Sequence, residues 1–239
     1  MNLKNSKESI DSITNQNNTS MMANTKSIFE INIEFLTHNL LPSGLTDPMM
    51  DGVIKQLRYI FNVTEESWNK RKNFIQNLEK KIEYLLICEA PPWTQTEPNY
   101  FYLNPNGQLF KTVWHTFFPD RPLVNPYNEL ANKGFLLIDS LPLSIKYETK
   151  HRKSSEYLQL IEINKQWWIN KLDNSGLAFS ENLKIALGYF WNGKRLIEAC
   201  GGKITLKNND YSLNCDLIIS HRKSRYLPDY IKLREVFHI

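Results

Sequence analysis

Tyr84-Leu85-Leu86-Ile87-Cys88-Glu89 decides how this chain is read: a largely apolar run ends abruptly in a carboxylate. A continuous apolar run of this length fits a strand covered on both faces, as in a parallel sheet flanked by helices. Three further runs repeat the arrangement. Phe135-Leu136-Leu137-Ile138 leads into Asp139, Leu183-Lys184-Ile185-Ala186-Leu187 into Gly188, and Leu217-Ile218-Ile219-Ser220 into His221. In open α/β sheets the ligand lies outside the carboxyl ends of the strands. Glu89, Asp139 and His221 are therefore expected to converge on one crevice.

The segments between these runs carry helical periodicity. Ile28, Phe29, Ile31, Phe35 and Leu36 open an amphipathic helix near Ser27 that Pro42-Ser43-Gly44 breaks. Asp47-Pro48 starts a second helix to about Phe61, and Asn62 or Thr64 caps a third bearing Trp68, Ile75, Leu78 and Ile82. Asn104-Pro105-Asn106-Gly107 signals a turn before a helix with Leu109, Val113, Trp114 and Phe117. Ser154 or Ser155 caps a helix whose Trp167-Trp168 pair packs it against the sheet. A short helix around Arg195–Glu198 ends at Gly201-Gly202, and Asn208-Asn209-Asp210 marks a turn before the last strand. Strands alternating with helices predict an α/β fold of three layers, with a central four-stranded parallel sheet flanked by helices.

Residues 1–25 are rich in Asn, Ser, Thr and Lys and read as a disordered polar tail. Residues 26–239 read as a single α/β domain, with a helical N-terminal part (26–82) and a sheet core (83–230). At 239 residues and 41% hydrophobic content the chain can bury one sizeable core. A net charge of +4 permits an acidic partner without demanding one. Cys88, Cys200 and Cys215 lack metal-ligand spacing and are expected to be reduced. No metal and no cofactor is expected. With no long apolar span or signal-peptide run, the expectation is a cytoplasmic monomer that does not engage a membrane.

The residues then resemble the uracil-DNA glycosylase superfamily over roughly residues 80 to 230. Cys88-Glu89-Ala90-Pro91-Pro92 resembles the water-activating loop of some branches. Tyr102-Leu103-Asn104-Pro105-Asn106-Gly107 is similar to the segment whose leading aromatic stacks on the flipped base. Gly134-Phe135-Leu136-Leu137-Ile138-Asp139 resembles the strand that ends in the base-reading Asn. Ser220-His221-Arg222-Lys223-Ser224 takes the place of the loop that carries the catalytic His, and Leu187-Gly188-Tyr189-Phe190-Trp191 fits the family's layout. The resemblance implies a glycosylase-like fold and hydrolysis of an N-glycosidic bond in DNA, leaving an abasic site. Its implied catalytic residues are Glu89, Asp139 and His221. Tyr102, Asp139, Pro92 and Trp93 would bind the base, although Trp93 equally fits a packing role. The base would first leave the helical stack.

The departures matter as much as the matches. Ala90 stands where the best-studied uracil-specific branch has its water-activating Asp, which leaves the catalytic acid open between Glu89 and Asp139. Asp139 replaces the base-reading Asn, and an ionised carboxylate offers only acceptors. That suits the amino group of cytosine better than the O4 of uracil. Pro92 stands where that branch has a Tyr that excludes a 5-methyl group. The expected substrate is a non-standard pyrimidine, cytosine-type or 5-modified, as in defence against phage with modified DNA. Uracil repair and a non-catalytic DNA- or base-binding module are the alternatives, with a free-nucleoside hydrolase behind them. DNA is the expected partner. Its phosphates would meet Arg222, Lys223, Ser224, Arg225 and Tyr226, with Tyr226 or Leu227 as a wedge. Lys150, Arg152 and Lys153 would meet them too, unless that run is a solvated linker.

Overall fold

A computed structural model of the chain describes residues 26–41, 46–143, 149–219 and 229–239. Three strands form a parallel sheet in the order β2-β1-β3: β1 (Ile82–Cys88), β2 (Phe135–Asp139) and β3 (Phe179–Leu187). The register sets Cys88 beside Asp139 and Ile87 beside both Ile138 and Leu187, so the strand ends fall level. Leu85, Leu86, Ile87, Leu136 and Ala186 are fully buried, as continuous apolar runs require.

The fourth expected strand is corrected. Asn214 accepts a hydrogen bond from the Asp216 amide and winds Cys215–Leu217 into a 3-10 turn. Among the described residues Ile218 alone then forms a bridge to Leu187, and the Ile219 amide donates to the Leu187 carbonyl at 3.0 Å. The local side-chain bond competes with the ladder and shortens it to one contact.

Helices flank the sheet. α1 (Ile28–Asn39) starts at a capping box in which Ser27 and Glu30 satisfy each other's amides. α2 (Asp47–Asn77) is one unbroken helix, not the two that the cap signal suggested. α3 (Gln108–Phe117), α4 (Pro126–Asn132), α5 (Thr149–Lys153), α6 (Ser155–Asp173), α7 (Phe190–Ala199) and α8 (Tyr230–Phe237) complete the set. Tyr84 and Phe135, side by side in register, meet Phe117 of α3 and Phe237 of α8 at ring separations of 5.1 to 6.4 Å. A hairpin of β4 (Lys203–Leu206) and β5 (Asn209–Ser212) turns through Lys207 and Asn208, both left-handed.

Phe29, Leu36, Leu57, Trp68 and Ile75 from α1 and α2 belong to the same buried cluster as the strands. Buried Asn32 and Asn164 exchange amide hydrogen bonds at 2.8 Å and lock α1 to α6. All three cysteines are free thiols. Among the described residues no helix is long and apolar enough to cross a membrane.

Candidate active site

Because β1 and β2 end level, their last residues, Cys88 and Asp139, face one cavity of about 170 Å³. Cys88, Pro92, Tyr100, Phe101, Asp139 and Tyr189 contribute to its lining. It is smaller than the roughly 300–1,000 Å³ of clefts for drug-sized ligands. Its dimensions and aromatic walls fit one planar ring.

Asp139 is the polar centre of this space. The residue is 8% exposed, and its carboxyl accepts no hydrogen bond among the described residues. Burial without a partner disfavours the charged form. The carboxyl is consequently pushed up to about 7, with Glu65 and Glu89 adding to the rise and the Lys171 ammonium opposing it. Near neutral pH the group is thus both acid and base. Burial also pushes the Cys88 thiol and the Tyr100 and Tyr189 phenols up, each with the Asp139 charge adding to the effect.

Glu89 has a different situation. Arg152 donates from Nε and Nη2 to its two carboxylate oxygens, both at 2.6 Å, and the Tyr157 hydroxyl donates to Oε1. Asn192 donates to the Tyr157 and Ser140 hydroxyls at 3.2 Å, and Ser140 donates to the Glu89 carbonyl at 3.2 Å. The Asn192 Oδ1 is buried without a partner. Glu89 does not line the cavity; it anchors a buried network joining the ends of β1 and β2 to α5, α6 and α7. The Arg152–Glu89 pair has side-chain exposures of only 18% and 9%. Arg152, expected on phosphate, is therefore corrected to a buried partner of Glu89. Arg195 holds α5 from the other side by donating to the carbonyls of Arg152 and Lys153. Lys150 and Lys153 remain exposed, with the Lys153 ammonium 4.9 Å from the Trp191 ring centre.

Tyr102 is a second correction. Its hydroxyl donates to the Leu137 carbonyl at 3.0 Å and accepts from the Leu137 amide at 2.8 Å. With both bonds fixed inside the core it does not reach the cavity, and Tyr100 and Phe101 supply the wall instead. Trp93 packs against the core outside the lining, whereas Pro92 is part of it. His221, Arg222, Lys223, Ser224, Arg225, Tyr226 and Leu227 lie outside the described residues.

Sequence reasoning missed Tyr100, Tyr157, Lys171 and Asn192. The consecutive aromatics Tyr100-Phe101-Tyr102 did carry a signal, but their facing depends on the turn at Phe101–Leu103. The other three are ordinary helical residues in sequence. No family model matches the chain, and no curated protein or solved structure matches it.

Proposed function

We propose that the protein is a DNA glycosylase acting on a flipped, non-standard pyrimidine of cytosine type or with a 5-substituent. The observation that supports this reading best is Asp139: a buried carboxyl with no hydrogen-bond partner among the described residues, in a ring-sized cavity walled by aromatics. Such a group has a substrate edge as its natural partner. In its neutral form it has one acceptor and one donor. It accepts from the N4 amino group of cytosine and donates to N3. Reversed, the same pair accepts from N3–H of uracil and donates to O4, so Asp139 selects a pyrimidine edge rather than one base. Choice between bases falls to the space beside Pro92, next to C5.

As the glycosidic bond breaks, the sugar becomes cationic and the base gains electrons. A neutral Asp139 can strengthen its hydrogen bond to the departing ring, and the family resemblance assigns His221 the same task. Glu89, neutralised by Arg152, positions the strand ends. Water adding to the sugar cation completes the hydrolysis and leaves an abasic site.

Mass spectrometry of bases released from natural, deaminated and phage-modified DNA tests the proposal. Release of a modified pyrimidine, reduced at least about 100-fold in Asp139→Asn, is the expected result. Release of nothing from any DNA, with no alkali-sensitive sites, would refute it. The occupied state of Glu89 favours one second reading, a module that binds a modified base without cutting it. That reading predicts DNA retention by the wild type together with intact glycosidic bonds.

A further inference from the structure

Five of the six tryptophans belong to the buried core or pack against it; Trp191 does neither. With Phe190 it opens α7, directly after Tyr189, which lines the cavity. Both rings are partly exposed, and they meet edge to face at 5.3 Å. Two exposed lysines accompany them. The Lys153 ammonium of α5 lies 4.9 Å from the Trp191 ring centre. The Lys194 ammonium of α7 lies 5.1 Å from the ring centre of Phe190 and 5.9 Å from that of Trp191. α5 and α7 contain one acid, Glu198, and Arg195 pairs with it at 2.7 Å. Among the described residues neither Lys153 nor Lys194 has a carboxylate partner.

Hydrogen bonds hold this patch beside the cavity. Arg195 of α7 donates to the Lys153 carbonyl, and Arg152 of α5 grips Glu89, the residue after Cys88 of the lining. The turn into α7 presses on the same wall, because a Cβ at Gly188 would lie 2.9 Å from the Cys88 Sγ. Cover for one lysine stem accounts for one ring–ammonium contact. Two surface rings with two ammonium groups that no carboxylate neutralises fit a ligand that repeats a flat ring and a phosphate.

We propose that Phe190, Trp191, Lys153 and Lys194 form a stacking platform for an unpaired nucleotide next to the flipped one, so that the protein takes its target from single-stranded DNA. A base can lie on an aromatic face only when it has left its own stack, and lysines beside the ring meet the phosphates on either side of it. The place of that nucleotide next to a flipped base rests on the glycosylase reading; the binding of an unpaired strand does not.

Fluorescence anisotropy of the full-length protein tests the proposal with three probes: a labelled single strand of ordinary bases, the same strand in a duplex, and a single strand of abasic residues. The wild type should bind the ordinary strand most tightly. Trp191→Ala should lose about tenfold on that strand and nothing on the abasic one, and Trp191→Phe should retain most of the affinity. Trp191→Leu, which keeps apolar bulk without an aromatic face, should behave like Trp191→Ala and replaces it if that variant does not fold. Lys153→Gln and Lys194→Gln should each reduce the slope of log affinity against log salt by about 0.7, which Trp191→Ala leaves unchanged. Full affinity for the ordinary strand in folded Trp191→Ala or Trp191→Leu overturns the proposal, as does tighter binding of the duplex. Self-association that Trp191→Ala abolishes, without strand binding, gives the patch to a second copy of the chain and overturns it too. Trp191-dependent strand binding without base release from any DNA upholds the platform and defeats only the glycosylase reading. Base release with strand binding independent of Trp191 does the reverse.

Discussion

The Asp139 carboxyl makes folding sensitive to pH in a direction opposite to that of most acidic residues. Its ordinary value of 3.8 rises to about 7 in the folded protein. Between these values the native state binds the proton more tightly than the unfolded chain. The stabilising contribution is whole below pH 4 and is lost as pH climbs through 7. The loss is on the order of 4 kcal/mol. Urea unfolding at pH 5 and pH 8 should show about 3 kcal/mol of this decline in the wild type, the part that falls between pH 5 and 7, and a flatter profile in Asp139→Asn. Glu89 makes a contrasting prediction. Glu89→Gln removes the carboxylate that Arg152 grips with two donors and should cost roughly 3 kcal/mol, much of it recovered in the Glu89→Gln, Arg152→Met double variant. Both carboxylates were legible from their place after apolar runs. Which one stays free was not, because it is decided by Arg152, 63 residues further on.

At the scale of elements, local side-chain chemistry explains most departures from expectation. Thr64 reads as a helix cap, yet inside α2 its hydroxyl donates back to the Phe61 carbonyl at 3.0 Å, and Ser67 does the same to Val63 at 2.8 Å. A polar residue that can cap can also bond to its own preceding turn, so the pattern does not distinguish the two. The turn signal at Asn208-Asn209-Asp210 falls one residue late, because Lys207 and Asn208 make the turn and Asn209 opens β5, and the hairpin itself was hidden by strands only four residues long. The entry to β2 carries the firmest prediction at this scale. Gly134 has φ +70°, and a Cβ there would lie 2.5 Å from the Lys81 carbonyl. Its own carbonyl accepts from the amides of Glu83 and Tyr84 at 2.9 and 3.1 Å. Gly134→Ala should therefore destabilise the protein by about 2–3 kcal/mol in thermal or urea unfolding, since backbone cannot yield as a flexible side chain can.

For the molecule as a whole, the N-terminal helices share the core of the sheet. Residues 80–230, the span of the family resemblance, leave out α1 and α2, yet Leu57, Trp68 and Ile75 are buried with the strands and Asn32 bonds to Asn164 across the interior. Deletion of residues 1–80 should abolish cooperative unfolding and disperse the near-ultraviolet circular dichroism, because it uncovers α6 and removes Glu65. Helix periodicity alone revealed that α1 and α2 exist. Their docking depends on Asn32, a polar residue within an apolar stripe that no periodicity singles out.

Tyr102 has a consequence for behaviour in a crowded solution. β2 borders the sheet, so the outward amide and carbonyl of Leu137 would otherwise invite a strand from another chain. One phenolic hydroxyl takes both groups, acting as a neighbour that cannot propagate. The border of the sheet is thus closed at Leu137 by a single oxygen atom from within the same chain.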